Sequence, residues 1–152
     1  MIQRIQSIYL IVAAICSISA LFMPFVYFAN PVNDVILHAF HYTDADGVML
    51  PEIGNTASIG IMFIISAAFS IFSIFLYKKR TLQIRMCLFN FVISLGALLQ
   101  IYLYSRTFGQ DDVTITIKIG SIVPIVTAII LLLAVWSIRK DELLVKSLDR
   151  LR

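Results

Sequence analysis

The chain has 152 residues, of which 60% are hydrophobic and only 14% charged, and its mean hydropathy is +0.93. A water-soluble domain has roughly half apolar residues and about a quarter charged, so this composition excludes a single soluble domain and assigns the surplus to lipid. The net charge of +3 and the pI near 9.0 follow from a basic rim beside a membrane and give no argument for a nucleic-acid partner.

The first expected span covers residues 7–28, about 22 residues and enough to cross a core of about 30 Å. It exceeds the roughly 7–15 apolar residues of a signal peptide, and the bulky Ile15 before Cys16 argues against a lipoprotein processing site. Ala13, Ser17 and Ala20 form a small-residue stripe at i, i+4, i+7 that lets a neighbouring helix approach. Pro24 is expected to kink the outer end of this helix. Residues 29–56 make the first outer loop. Its stretch 35–43 is β-prone, Asp46-Gly47 signals a turn, and Val48-Met49-Leu50 returns as a second strand before Pro51. A small hairpin is therefore expected on the outer face.

The second span, 57–77, carries Ser66, Ser70 and Ser73 at the same helical spacing. The third, 86–104, holds Asn90 and Gln100, with Asn90, Ser94 and Ala97 on one inward stripe. In the second outer loop, 105–119, the alternation Val113-Thr114-Ile115-Thr116-Ile117-Lys118 is the clearest strand signal in the chain. A lone strand is not stable in water, so pairing with the first loop is expected. The fourth span, 120–138, is expected to kink near Pro124. The tail, 139–152, reads as a short amphipathic helix, with Glu142 and Lys146 spaced as an i, i+4 pair and Leu144, Leu148 and Leu151 as its apolar stripe.

Orientation follows from Lys78-Lys79-Arg80 and Arg85, the basic hinge between spans two and three. Assigned by side, ten basic residues lie inside against Asp141, Glu142 and Asp149, whereas Arg106 and Lys118 lie outside with six acidic residues. The Lys/Arg asymmetry, ten against two, puts both termini and the hinge in the cytoplasm. The hinge residues Lys78, Lys79, Arg80 and Arg85 set topology and are candidates for lipid-headgroup contact.

Chemistry-bearing clusters are sparse. Cys16 and Cys87 lie in apolar runs without a Cys-x-x-Cys pair, which excludes the loop thiols of a quinone-coupled oxidoreductase and reads as two buried small hydrophobes. His38 and His41, near Asp44, Asp46 and Glu52, are the only residues of metal-ligand type that cluster, but on one continuous strand their odd offset puts them on opposite faces. Asp44, Asp46 and Gly47 lack the remaining ligands of a calcium loop and read as a turn. No expected span carries a mid-membrane ionisable residue, which weighs against a pump, a proton-coupled carrier or a b-type cytochrome. Asn90 and Gln100 serve either as glue between helices or as the lining of a polar path.

The opening Met1-Ile2-Gln3-Arg4-Ile5-Gln6-Ser7-Ile8-Tyr9-Leu10, and the close from Ile138-Arg139-Lys140-Asp141-Glu142 to Leu148-Asp149-Arg150-Leu151-Arg152, resemble an uncharacterised family of small four-span bacterial inner-membrane proteins, domain of unknown function 4293. The resemblance implies location and architecture, assigns no catalytic residue, and draws attention to the tail. The plan also resembles claudin-like proteins in architecture, without the Trp and Cys pattern of their first loop.

The expected fold is thus an all-α membrane protein: an antiparallel four-helix transmembrane bundle with a small extracytoplasmic β-cap and a cytoplasmic amphipathic C-terminal helix. The expected function is that of a non-enzymatic subunit or docking partner without cofactors, meeting membrane lipids and other membrane subunits or further copies of itself. Its docking residues would be Arg139, Lys140, Asp141, Glu142, Leu144, Leu148, Asp149, Arg150, Leu151 and Arg152. The rival expectation is a small transporter or lipid-binding protein using the polar faces of the spans.

Overall fold

The structure, a computed structural model, describes residues 3–29, 34–108 and 113–149. Four helices, α1 (Gln3–Ala20), α2 (Ala57–Phe75), α3 (Arg80–Phe108) and α4 (Val123–Asp149), are joined by four short strands, β1 (Val26–Ala29), β2 (Val35–Leu37), β3 (Tyr42–Asp44) and β4 (Thr114–Ile117). Each helix packs on two others: α1 against α2 and α4, and α3 against α2 and α4. Three segments, Ala57–Phe75, Arg80–Thr107 and Ile119–Leu143, are long and apolar enough to cross a membrane, and Gln6–Ala20 is a shorter apolar helix.

The first span is shorter than expected from hydropathy. The last turn of α1 tightens through bonds from Leu21, Phe22 and Met23 to the carbonyls three residues back. Pro24 then disfavours helical geometry at Met23 and has no N–H to continue the ladder. Pro24 therefore ends the helix instead of kinking it, and Val26-Tyr27-Phe28 leave as a strand, which suits their β-branched and aromatic side chains. Pro124 does not interrupt α4. It lies in the first turn of α4, where a missing N–H breaks no intrahelical bond, and its carbonyl accepts a bond from Ser94 Oγ at 2.7 Å.

The sheet is antiparallel throughout, in the order β3-β2-β1-β4. β4 joins one sheet with the strands of the first loop, but it does not pair with their hairpin: its partner is β1, which hydropathy assigns to the first span. The expected strand over 35–43 is two strands, β2 and β3, folded about Ala39 and Phe40, with His38 N–H donating to the His41 carbonyl at 3.0 Å. The return at 48–50 is a single bridge between Thr43 and Met49, closed by Asp44 N–H to Val48 O (2.9 Å) and Leu50 N–H to Tyr42 O (3.0 Å). Pro51 opens a 3-10 turn, Pro51–Ile53.

One sheet face is buried on the helices. Val26, Phe28, Val35, Leu37 and Tyr42 share a core with Ile59 and Phe63 of α2 and Ala97 and Ile101 of α3, and the Phe25 and Phe63 rings stack at 5.6 Å. The corner after α1 is clamped to the corner before α4. Lys118 N–H and Ser121 Oγ both donate to the Phe25 carbonyl (2.9 and 2.6 Å), and Gly120 N–H donates to Pro24 O (3.1 Å). A Cβ on Gly120 would lie 2.4 Å from that Pro24 oxygen, so only glycine permits the approach. A second core, of Leu10, Ala13, Ile84, Cys87, Leu131, Ala134, Val135 and Ile138, fills the end of the helices away from the sheet.

At that far end α2 closes with a 3-10 turn, Leu76–Lys78, and Lys79 breaks the helix before α3 starts at Arg80. The basic cluster is thus a sharp turn between two helices, and α3 begins six residues earlier than the span expected from residue 86.

Candidate functional site

All four helices turn the same kind of stripe inward, with buried positions spaced alternately four and three residues apart. In α1 it runs Gln6, Leu10, Ala13, Ser17, Ala20; in α2 Ile59, Phe63, Ser66, Ser70, Ser73; in α3 Gln83, Cys87, Asn90, Ser94, Ala97, Ile101; in α4 Thr127, Leu131, Ala134, Ile138, Asp141. This is the spacing of heptad seams, and it brings the polar members of the stripes together at two levels.

The first level is mid-helix. Asn90 is fully buried, and its Nδ2 donates to the Ser66 carbonyl (3.0 Å) and to Ser70 Oγ (2.8 Å). Ser66 Oγ shares a hydrogen bond with Ser17 Oγ at 3.0 Å, and Ser17 Oγ also lies 3.0 Å from the Ala13 carbonyl, to which it donates. Asn90 therefore ties α3 to α2, and the serines carry the tie on to α1. Gln100 is only half-buried and is not brought to this network.

The second level is the hinge end. Asp141, 6% exposed, accepts a short hydrogen bond from Gln6 Nε2 through Oδ2. Arg80 reaches across from α3, yet its Nη1 donates to the main-chain carbonyl of Asp141 (3.1 Å) and not to the carboxylate. Gln83, 2% exposed, donates from Nε2 to the Ser73 carbonyl at 3.1 Å. Among the described residues nothing donates to Asp141 Oδ1 or Gln83 Oε1. A cleft of about 500 Å³ runs beside this cluster between α1 and the end of α2, lined by Gln6, Ser7, Ile8, Ile11, Ile74, Tyr77 and Gln83.

Asp141, expected among the docking residues of the tail, is buried. It is the last described member of the α4 seam, and the helix carries it inward. Arg139 and Lys140 are exposed, with Lys140 Nζ 5.6 Å from the Trp136 ring centre, and Glu142 is half-buried. Leu144, Leu148 and Asp149 belong to α4, but their side chains lie outside the described set, as do Arg150, Leu151 and Arg152 altogether. Of the hinge residues, Lys79 and Arg85 are exposed and Arg80 is half-buried; the side chain of Lys78 is outside the described set. Gln6 and Gln83 join this cluster without being among the residues expected from the sequence. The signal was available, because Gln83 precedes Cys87 and Asn90 at the seam spacing and Gln6 precedes Ala13 and Ser17 in the same way.

The histidines also differ from expectation. Because a two-residue turn separates them, His38 and His41 are opposed across a hairpin, and their rings stack with centres 5.5 Å apart. Burial and the neighbouring His41 push the His38 pKa down, while Thr56 Oγ1 holds the His38 carbonyl at 3.0 Å. Among the described residues no three His, Cys, Asp or Glu side chains gather closely enough to hold a metal ion.

The two ends of the sheet differ. Beyond β3 lies the bridge to Met49, whereas β4 is the last strand in the order. All four β4 residues are exposed, including Ile117 at 71%. Ile115 and Ile117 pair with Phe28 and Val26, so they lie on the face that elsewhere covers the helices, but β4 overhangs that cover.

The model of the family described as a domain of unknown function (DUF4293) matches residues 2–151. The chain belongs to the DUF4293 family. No curated protein matches it. The family match extends over both polar levels and the sheet.

Proposed function

We propose that this DUF4293 protein is an antiparallel four-helix transmembrane bundle of the bacterial inner membrane. Its termini and hinge would be cytoplasmic and its sheet extracytoplasmic, and it would act as a non-enzymatic subunit that docks to another membrane protein. Lipid placement is supported by the apolar outward faces of all four helices, among them Ile8 and Ile15, Ile61 and Phe72, Phe89 and Val92, and Ile129 and Trp136. Orientation is supported by the ten-to-two distribution of Lys and Arg.

The observation that carries docking is the edge of β4, which pairs with no further strand among the described residues. An unpaired strand edge presents a row of main-chain donors and acceptors ready for an added strand, and here the edge is apolar as well as open. Lys118 N–H points to β1, so by the alternation of a strand the N–H groups of Ile115 and Ile117 point away from it. Ile115→Pro thus removes an outward donor and leaves the β1 ladder intact. A photo-crosslinking residue at position 117 is expected to trap one membrane-protein species in intact cells, and Ile115→Pro is expected to abolish that adduct without lowering the amount of folded protein. Crosslinks to lipid alone, or an adduct indifferent to Ile115→Pro, would refute docking at this edge.

The rival reading, a path along the polar faces, is less favoured because Asn90 uses both amide hydrogens to join helices, leaving only its Oδ1 without a partner among the described residues. Asn90→Leu is expected to cost about 1 kcal/mol of stability, two intramembrane hydrogen bonds at about 0.6 each, and to leave the position-117 adduct in place. Loss of the adduct in a folded Asn90→Leu protein would count for the path.

A further inference from the structure

We infer that the cleft at the hinge end is a binding site for a phospholipid whose headgroup carries a protonated primary amine, an aminophospholipid. The inference rests on the membrane reading above and is independent of docking at β4.

Three observations converge there. First, the cleft has an apolar stretch and a polar end: Ile8, Ile11 and Ile74 line its length, and Gln6, Ser7 and Gln83 line its head. Ile8 and Ile11 are exposed, so the cleft opens sideways toward the position of lipid, and an acyl chain can enter without crossing the bundle. Second, two side chains more than nine-tenths buried hold acceptors that lack donors among the described residues: Gln83 Oε1, at the cleft wall, and Asp141 Oδ1, one hydrogen bond behind it through Gln6. The Asp141 carboxylate has one neutral amide as its described side-chain donor, and the nearby Arg80 guanidinium is held on the main-chain carbonyl, so a cation that approaches from the cleft is favoured. An ammonium group supplies three donors and a positive charge on one atom: at the head of the cleft it donates to Gln83 Oε1 and brings its charge to Gln6, one hydrogen bond from the Asp141 carboxylate. Third, the main chain turns at Lys79 beside this head, and Arg80 stands one helical turn before Gln83 on the same seam. The exposed Lys79 is a partner for the phosphate of the same zwitterionic headgroup. A phosphate alone satisfies neither acceptor, and an anionic headgroup brings negative charge toward Asp141.

The test uses full-length protein in mild detergent and native mass spectrometry, with phosphatidylethanolamine and phosphatidylglycerol of identical acyl chains added in competition. Wild type is expected to retain one phosphatidylethanolamine per chain with about tenfold preference, the scale of one hydrogen bond to a charged group. Asp141→Asn and Gln83→Leu are expected to lower the preference at least about fivefold. Ile11→Trp, at an exposed position that cannot disturb the core, is expected to fill the apolar stretch and cut retention of both lipids, with helicity by circular dichroism unchanged. Retention without headgroup preference in wild type, or an Asp141→Asn protein with wild-type preference, overturns the inference and leaves the membrane reading standing. Retention of neither lipid by wild type overturns the inference as well, while the membrane reading rests on the apolar outward faces and falls only if the protein stays soluble without detergent.

Discussion

The sheet end and the hinge end of the molecule are built on opposite terms. At the sheet end, aromatic side chains fill the core, and main-chain carbonyls beside it are capped: Ser121 Oγ and Lys118 N–H on the Phe25 carbonyl, Thr56 Oγ1 on the His38 carbonyl, and Gly60 N–H on the Ala39 carbonyl at 2.9 Å, with Gln100 Oε1 left without a partner among the described residues. At the hinge end small and aliphatic side chains surround Gln6, Gln83 and Asp141, and three buried side-chain oxygens, Ser73 Oγ, Gln83 Oε1 and Asp141 Oδ1, have no partner among the described residues. Packed aromatics with satisfied caps specify one rigid arrangement. A partly satisfied polar cluster is costly unless something else completes it, so the hinge end is the place where a ligand changes the energetics most.

That contrast can be broken by mutation at either end. The largest effect is expected from Phe63→Ala, which removes a ring from the interface between sheet and helices and should cost about 4 kcal/mol, read as a lowered midpoint of thermal unfolding in detergent. A cost under about 1 kcal/mol would show that the sheet is not a structural cap. The hinge end should respond in the other direction. Replacing donor and acceptor together, Gln6→Leu with Asp141→Leu, is expected to change stability in lipid-free detergent by no more than about 1 kcal/mol or to raise it, because an apolar pair avoids the desolvation of the carboxylate. The Arg80 contact survives that change, since it uses the Asp141 main chain. A large loss would mean that the carboxylate is already neutralised within the protein.

The smallest effect concerns pH at the sheet end. The His38 pKa is lowered in the folded protein by burial and by His41, so between its folded and unfolded values the unfolded chain binds more protons. Its contribution to stability is therefore complete above the unfolded value of about 6.5 and declines as pH falls through that value toward the folded one. Thermal unfolding at about pH 7.5 and about pH 5.5 should show the decline, and His38→Gln should flatten it.

Much of this molecule can be read from the chain because its signals are local. The 4-3 spacing of Ser66, Ser70 and Ser73, and of Asn90, Ser94 and Ala97, identifies inward faces without reference to any partner, and the alternation at 114–117 identifies β4 in the same way. Other features have no local signature. Val26-Tyr27-Phe28 is apolar whether it ends a helix or forms a strand buried on one face, and the choice falls to the strand because Leu37 and Ile117 lie opposite Val26. His38 and His41 share a side because the chain reverses between them.

Sequence by itself determined the apolar helices, the basic turn between two of them and the strand-forming loops, since hydropathy, charge and periodicity act through neighbours a few residues apart. Only the tertiary structure decided that β1 leaves the first helix to join β4, and that Asp141 turns inward to Gln6, 135 positions away in the chain. A carboxylate in a charged tail carries no local mark of burial; that is set by which helices meet at its level.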